Sequence, residues 1–231
     1  MSTPDLSVQS LFNVKGKIAL VTGGGTGIGN IIASALVQNG AKVYIAARKE
    51  SQLKAAVAEL NAKGPGSADY IVANLSISGT DALISALEAR EPVKRLHILV
   101  NNSGVSWGVS FENFPEDKGW DHVMAVNIKS LFYLNHLTSI LAVKLGPQKI
   151  TVNAICPGIF PTKMTAFGFK NAGEKKILSQ QPMGRVGCPS DLAGLALFLT
   201  SPASAHVTGA HILLDGGATL SRQGIAPQVQ L

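Results

Sequence analysis

Between Val21 and Gly29 the chain runs Val-Thr-Gly-Gly-Gly-Thr-Gly-Ile-Gly. The chemistry open to such a stretch is anion binding. Glycine takes positive φ at no steric cost and lets the backbone approach a phosphate closely, and N–H groups at the start of a following helix point at the anion. Lys17–Thr22 before it is a short apolar strand, and Asn30–Asn39 after it repeats apolar residues at helical spacing and stops at Gly40. Strand, glycine turn and helix in that order make a cradle for a diphosphate. Other reactive side chains are scattered. Two cysteines, Cys156 and Cys188, and five histidines form no cluster with metal-ligand spacing, so no metal is expected. His97, on a strand, reads as a satisfied core histidine.

The elements that must hold this turn follow from periodicity. Ala41–Ala47 is a second strand, closed by the basic pair Arg48-Lys49, and Glu50–Lys63 is an amphipathic helix stopped by Gly64-Pro65-Gly66. Asp69–Leu75 gives a third strand, Thr80–Arg90 a helix, and His97–Asn101 a fourth strand apolar enough to be buried on both faces. This alternation predicts an α/β fold, a Rossmann-like doubly wound parallel sheet in three α/β/α layers. Residues 1–16 read as an extended arm, 218–231 as a polar tail, and 1–231 as a single domain.

Bulk properties narrow the function classes. With 231 residues and 46% hydrophobic content the chain can bury a large core, and 15% charged residues argue against disorder. The net charge of +6 comes without a Lys/Arg run of the kind that binds nucleic acid, so a phosphate-bearing cofactor explains it more simply. The N-terminus lacks a basic-then-apolar signal pattern and no apolar run reaches membrane-spanning length, so a cytoplasmic protein without membrane or nucleic-acid partners is expected.

Several blocks together resemble the short-chain dehydrogenase/reductase family: Thr22-Gly23-x-x-x-Gly27-x-Gly29, Asn101-Asn102-Ser103-Gly104, Asn127, Asn153, Pro157-Gly158-x-x-x-Thr162 and Asp215-Gly216-Gly217. Within it, Ser103–Gly108 and Phe160–Met164 look most like 3-oxoacyl-carrier-protein reductases of the rhamnolipid type. The resemblance implies an oxidoreductase that reduces a 3-oxoacyl or related carbonyl compound with a nicotinamide cofactor, and a homo-oligomer. Gly23, Gly27, Ile28 and Gly29 would line the diphosphate turn, Asn74 and Leu75 would lie at the adenine, Asn101 and Gly104 beside its ribose, and Pro157, Gly158, Ile159 and Thr162 around the nicotinamide. Ala47 stands where an NAD-binding member carries a carboxylate, and Arg48 and Lys49 follow, a pair suited to the 2′-phosphate of NADP. NADP (NADPH) is therefore favoured over NAD.

The catalytic part of the family pattern is missing. A member uses a tyrosine as proton donor, a lysine four residues later to lower the phenol's pKa, and a serine about a dozen residues earlier. The three tyrosines here are followed at that spacing by Arg48, Asn74 and Leu137. Lys129 and Tyr133 are four apart in reversed order, on a helix the family uses for packing. Of the catalytic set only Asn127 remains. Trp120–Leu134 resembles one long helix and Asn135–Gly146 the second half of the next, which leads straight into a strand at Lys149–Ile155. Met124, Ile128, Leu131, Leu134, Leu137, Leu141 and Leu145 keep helical phase across the junction, which predicts a fused helix over about 118–145. The sheet would then lack one central strand, with the fourth strand pairing directly with the next. Farther on, Lys170–Ser179 resembles a substrate lid with Phe167 and Phe169 as apolar contacts. Ser190 or Asp191 should open a helix, and Ala210–Asp215 is the last strand. Three functions remain open: an NADP-dependent oxidoreductase, a catalytically inactive NADP-binding module, and a truncated or splice product.

Overall fold

The computed structural model describes residues 3–74, 77–93, 95–104 and 130–222. The chain packs as two compact units, Met1–Ser103 with Leu192–Ser204, and Gly104–Asp191 with Ala205–Leu231.

The first unit opens with a helical turn, α1 (Val8–Leu11), where an extended arm was expected. The Ser7 hydroxyl caps it by accepting from the Ser10 N–H at 3.3 Å, a signal easily lost in a short polar stretch. Then come β1 (Ile18–Thr22), α2 (Gly27–Gln38), β2 (Lys42–Ala47), α3 (Glu50–Asn61), β3 (Ser67–Val72), α4 (Ile77–Arg90) and β4 (Ile98–Val100). The four strands form one parallel sheet in the order β3-β2-β1-β4, so the order reverses between β1 and β4. That reversal is where open α/β sheets bind ligands. Leu20, Tyr44, Ala46 and Ile71 on one face of the sheet pack with Leu83 and Leu87 of α4, while α2 and α3 contact β1, β2 and β3. Val21, Val43, Ile45, Leu36 and Leu53 are fully buried.

Tyr44 carries a polar group into this core and finds a partner there. Its hydroxyl donates to Glu91 Oε1 at 2.7 Å, and Lys42 Nζ reaches the same oxygen at 2.8 Å while lying over the Tyr44 ring. The lysine's hydrogen bond, above all, holds the Glu91 carboxyl below its usual pKa. Before β1, Lys17 donates to the Thr200 carbonyl at 2.7 Å, closing a part-buried helix end. His97 accepts the Ile18 N–H through Nδ1 at 3.0 Å and so is satisfied by the backbone, but it is exposed just before β4 and not the core histidine expected; partial desolvation, foremost, pushes its pKa down.

The third strand begins two residues earlier than its apolar pattern suggests. Asn61 explains the shift: its side chain bonds both the N–H and the C=O of Ala68, at 2.7 and 3.0 Å, and pulls that residue into line. Leu99, in the middle of β4, is 54% exposed although a parallel strand normally buries both faces.

The second unit contains α5 (Ser130–Leu145), β5 (Ala154–Pro157), α6 (Ala166–Ala172), α7 (Glu174–Leu178) and β6 (His211–Leu214). The helix α8 (Pro189–Thr200) passes from this unit into the first, and α9 (Ala218–Arg222) follows β6 at the start of what was read as a polar tail. β5 and β6 form a parallel pair of their own. Among the described residues the ladders of β4 run to β1 and those of β5 to β6, so the expected direct pairing of the fourth strand with the next is not one of them. Of the helix expected over about 118–145, α5 supplies residues 130–145, and 118–129 lie outside the described residues.

The expected strand at Lys149–Ile155 also moves. Lys149 takes a left-handed conformation, φ 61°, after a 3-10 turn. Asn153 then spends its side chain on the Val207 carbonyl at 2.8 Å and the Ala210 N–H at 3.1 Å, so the ladder starts only at Ala154. The lid segment is two short helices rather than one, because Gly173 at φ 79° breaks it.

Candidate cofactor site

In the first unit the site is built where β1 ends. Gly23 and Gly27 have φ of 66° and 58°, the left-handed region that the turn needs and that side chains resist. The turn is also crowded. A Cβ on Gly23 would lie 2.9 Å from Asn102 Nδ2, and one on Gly29 would lie 2.6 Å from the Gly23 carbonyl oxygen. α2 then starts with Thr26 at its N-cap making no side-chain capping bond, and no acidic residue stands in its first turn. The free N–H groups and the positive end of the helix dipole are left for an anion.

The turn is held from β4, some eighty residues on. Thr22 Oγ1 donates to the Val100 carbonyl at 3.3 Å and accepts from the N–H groups of Asn102 and Ser103 at 3.0 and 3.2 Å. The Asn102 side-chain amide donates to the carbonyls of Thr22 and Gly23 at 3.1 and 3.3 Å. Thr22 and Asn102 therefore fix the glycine turn to the segment carrying Asn101 and Gly104, both exposed. Sequence reasoning assigned no role to either. The signal was present, since both sit inside the quoted blocks, but nothing in spacing tells which of two adjacent asparagines turns back.

β2 ends at Ala47, and Arg48 and Lys49 emerge exposed from it. The register pairs Ala47 with Val72, so Asn74, exposed two residues beyond β3, lies at the same end of the neighbouring strand. Leu75 and Asn127 fall outside the described residues.

In the second unit, Pro157 ends β5 and the Gly158 N–H donates to the Leu214 carbonyl at 3.0 Å. A Cβ on Gly158 would stand 2.8 Å from Asp215 Cα, so the two loops after β5 and β6 touch there. Hydrogen bonds from Thr219, foremost, hold the Asp215 carboxyl below its usual pKa. Thr165 shapes the Ile159–Thr162 loop: its hydroxyl donates to the Phe160 carbonyl at 2.7 Å and accepts the Thr162 N–H at 2.9 Å. Gly187 N–H closes on the Ile159 carbonyl at 2.9 Å, and the buried Phe160 ring fills the space a side chain at 187 would need. Arg185 forks onto both carboxylate oxygens of Asp191 at 2.6 and 2.9 Å. That guanidinium, first of all, holds the Asp191 carboxyl far below the carboxylate range, helped by the Cys188 N–H. Of the two residues expected to open this helix, Asp191 makes the capping bond.

The glycine turn with its uncapped helix start suits a dinucleotide diphosphate, and the open strand ends of the first unit offer cations for a further phosphate. No group of histidine, cysteine or acidic residues among the described residues is arranged to hold a metal. No helix among them is long and apolar enough to cross a membrane.

The chain is similar to known proteins. Residues 17–136 match the family model described as short chain dehydrogenase, and residues 132–219 the one described as Enoyl-(Acyl carrier protein) reductase. A rhamnolipids biosynthesis 3-oxoacyl-[acyl-carrier-protein] reductase of Pseudomonas aeruginosa is 35% identical over 89% of this chain and 97% of its own length. A galactitol 2-dehydrogenase (L-tagatose-forming) of Cereibacter sphaeroides is 30% identical over 93% of this chain and all of its own. Among solved structures, the Pseudomonas aeruginosa RhlG/NADP active-site complex superposes with a TM-score of 0.80 at 33% identity, covering 90% of this chain and 98% of that one. A putative NAD(P)-dependent gluconate 5-dehydrogenase of Beutenbergia cavernae with bound NADP gives 0.79 at 27% identity, covering 91% of this chain and all of that one.

Proposed function

This chain belongs to the short-chain dehydrogenase family, NAD(P)-dependent oxidoreductases acting on alcohol and carbonyl groups, and from that premise we propose that it is an NADP-binding member of the 3-oxoacyl reductase type that has lost its proton donor. Bound NADPH would offer a hydride for a carbonyl compound, a step this chain is proposed not to complete. The chain's own residues do the binding. The N–H groups of the Gly23–Gly29 turn hold the diphosphate, Arg48 and Lys49 the 2′-phosphate, and Asn74, Leu75, Asn101 and Gly104 the adenosine. Pro157, Gly158, Ile159 and Thr162 take the nicotinamide.

The observation that carries the loss of activity is the state of the tyrosines. Tyr44 is 2% exposed and its hydroxyl is spent on Glu91. The Tyr70 hydroxyl donates to Glu50 at 3.1 Å. Tyr133 has Leu137 where a lysine would lower its pKa. The comparison with the Pseudomonas relative supports the same reading. That alignment runs over 254 positions but draws on only 89% of this 231-residue chain, so roughly four dozen positions of the relative face no residue here. The two family models meet at residues 132–136, where the sequence joins two partial helices. Loss of a general acid alone costs about 10²–10⁴ in rate.

Titration with NADPH and NADH, followed by an assay with a 3-oxoacyl thioester, tests this. NADPH should bind more tightly, Arg48→Ala should remove most of that preference, and no oxidation should follow. Consumption of NADPH at an ordinary enzymatic rate would overturn the proposal. The family resemblance also leads us to propose a cytoplasmic homo-oligomer. Leu137, Ile140 and Val143, 45%, 54% and 80% exposed along α5, are consistent with self-association, and light scattering measures it.

A further inference from the structure

Glu50 puts a carboxylate where an NADP site can least use it. It opens α3 directly after Arg48 and Lys49, and all three are exposed. Leu53 Cδ2 lies 3.5 Å from where a Cβ on Gly25 would be, so the first turn of α3 stands against the glycine turn. A free negative charge here would repel a 2′-phosphate and compete with it for the two cations. Among the described residues, however, neither Arg48 nor Lys49 is ion-paired. The Glu50 carboxylate is taken by other groups: its Oε1 accepts from the Tyr70 hydroxyl at 3.1 Å and from Lys54 Nζ at 3.0 Å. Those bonds, the lysine's foremost, hold the carboxyl below its usual pKa and keep it charged at neutral pH. Lys54 is one helical turn along α3, and an exposed pair at that spacing fixes a side chain only weakly. Tyr70 is the firmer anchor, because it stands on β3 in register with Ile45 of β2.

We infer that the Tyr70 hydroxyl, supported by Lys54, holds the Glu50 carboxylate off Arg48 and Lys49 and so keeps both cations free for the 2′-phosphate of NADP. Tyr70 is then a positioning residue that acts on cofactor choice through Glu50. The inference rests on the NADP reading above and deepens it.

The test compares wild type with Tyr70→Phe, which keeps the ring and every charge, on three ligands. NADPH and 2′,5′-ADP carry the 2′-phosphate and NADH does not; 2′,5′-ADP also lacks the nicotinamide. The variant should lose roughly threefold in affinity for NADPH and for 2′,5′-ADP, the effect of one repelling charge several Å away in water, and keep its NADH affinity. Adding Glu50→Gln should restore what Tyr70→Phe removed, and should help that variant more than it helps wild type. The ratio of wild-type to variant affinity should also shrink in high salt, where the repulsion is screened. Unchanged NADPH affinity in Tyr70→Phe would overturn the inference. So would an equal loss for NADH, which marks a merely structural role, or a loss that Glu50→Gln does not restore. Wild type with no preference for NADPH over NADH defeats the NADP reading itself, whereas a preference that survives Tyr70→Phe intact defeats only this inference.

Discussion

Two loops at the carboxyl ends of strands, one in each unit, are built on opposite plans. The Gly23–Gly29 turn is shaped from far away: the Thr22 hydroxyl and the Asn102 amide stitch it to β4 by five hydrogen bonds spanning about eighty residues of sequence. The Ile159–Thr162 loop takes its side-chain hydrogen bonds locally, from one threonine three residues downstream, and is tied to distant chain by a single backbone bond from Gly187 to Ile159. A turn secured by distant partners tolerates few changes, because each glycine is pressed against another segment. A loop secured by its own neighbours can lose one bond and keep its course.

The largest expected effect breaks the first plan. Gly23→Ala places a methyl against Asn102 in a backbone region that costs an L-residue about 1–2 kcal/mol before any clash is counted. With overpacking of about 1–3 kcal/mol added, the variant should melt well below wild type and lose at least tenfold in NADPH affinity by fluorescence titration. Retention of wild-type affinity would mean that the turn does not bind the diphosphate.

Next comes the ion-paired core beneath that turn's sheet. Glu91→Ala leaves the Tyr44 hydroxyl and the Lys42 ammonium without their shared acceptor, at a cost of about 2–3 kcal/mol read from chemical denaturation. The pH dependence has a definite sign. The folded-state pKa of Glu91 lies below its unfolded value of about 4.3, so its contribution is complete above that pH and is lost as pH falls through the folded value. The Glu91→Ala variant should therefore show a flatter acid limb than wild type, and an unchanged limb would dissociate the pair from stability.

The smallest effect sharpens the contrast from the other side. Thr165→Val keeps the shape and removes the hydroxyl that bridges Phe160 and Thr162. About 1 kcal/mol of stability should go, with a small loss in NADPH affinity and none for 2′,5′-ADP. A loss as large as that of Gly23→Ala would show that the second loop is no more forgiving than the first.

The same contrast decides what was legible in the sequence. The strands, helices and glycine turn of the first unit follow from local periodicity, and even there β3 is displaced by the side chain of Asn61 acting on Ala68. Arg48 and Lys49 were found because charge after a strand is a local signal. Thr22 and Asn102 work through partners eighty residues apart, which no window contains. In the second unit, Gly173 divided a helix whose apolar spacing continued through it, and Asn153 replaced ladder bonds with side-chain bonds, so the strand began late.

Leu99 has a further consequence. Three residues of parallel strand, with a leucine half in water at the centre, give chaperones something to grip. In a cell, the race between refolding, capture and proteolysis at that strand then sets how much of the protein accumulates.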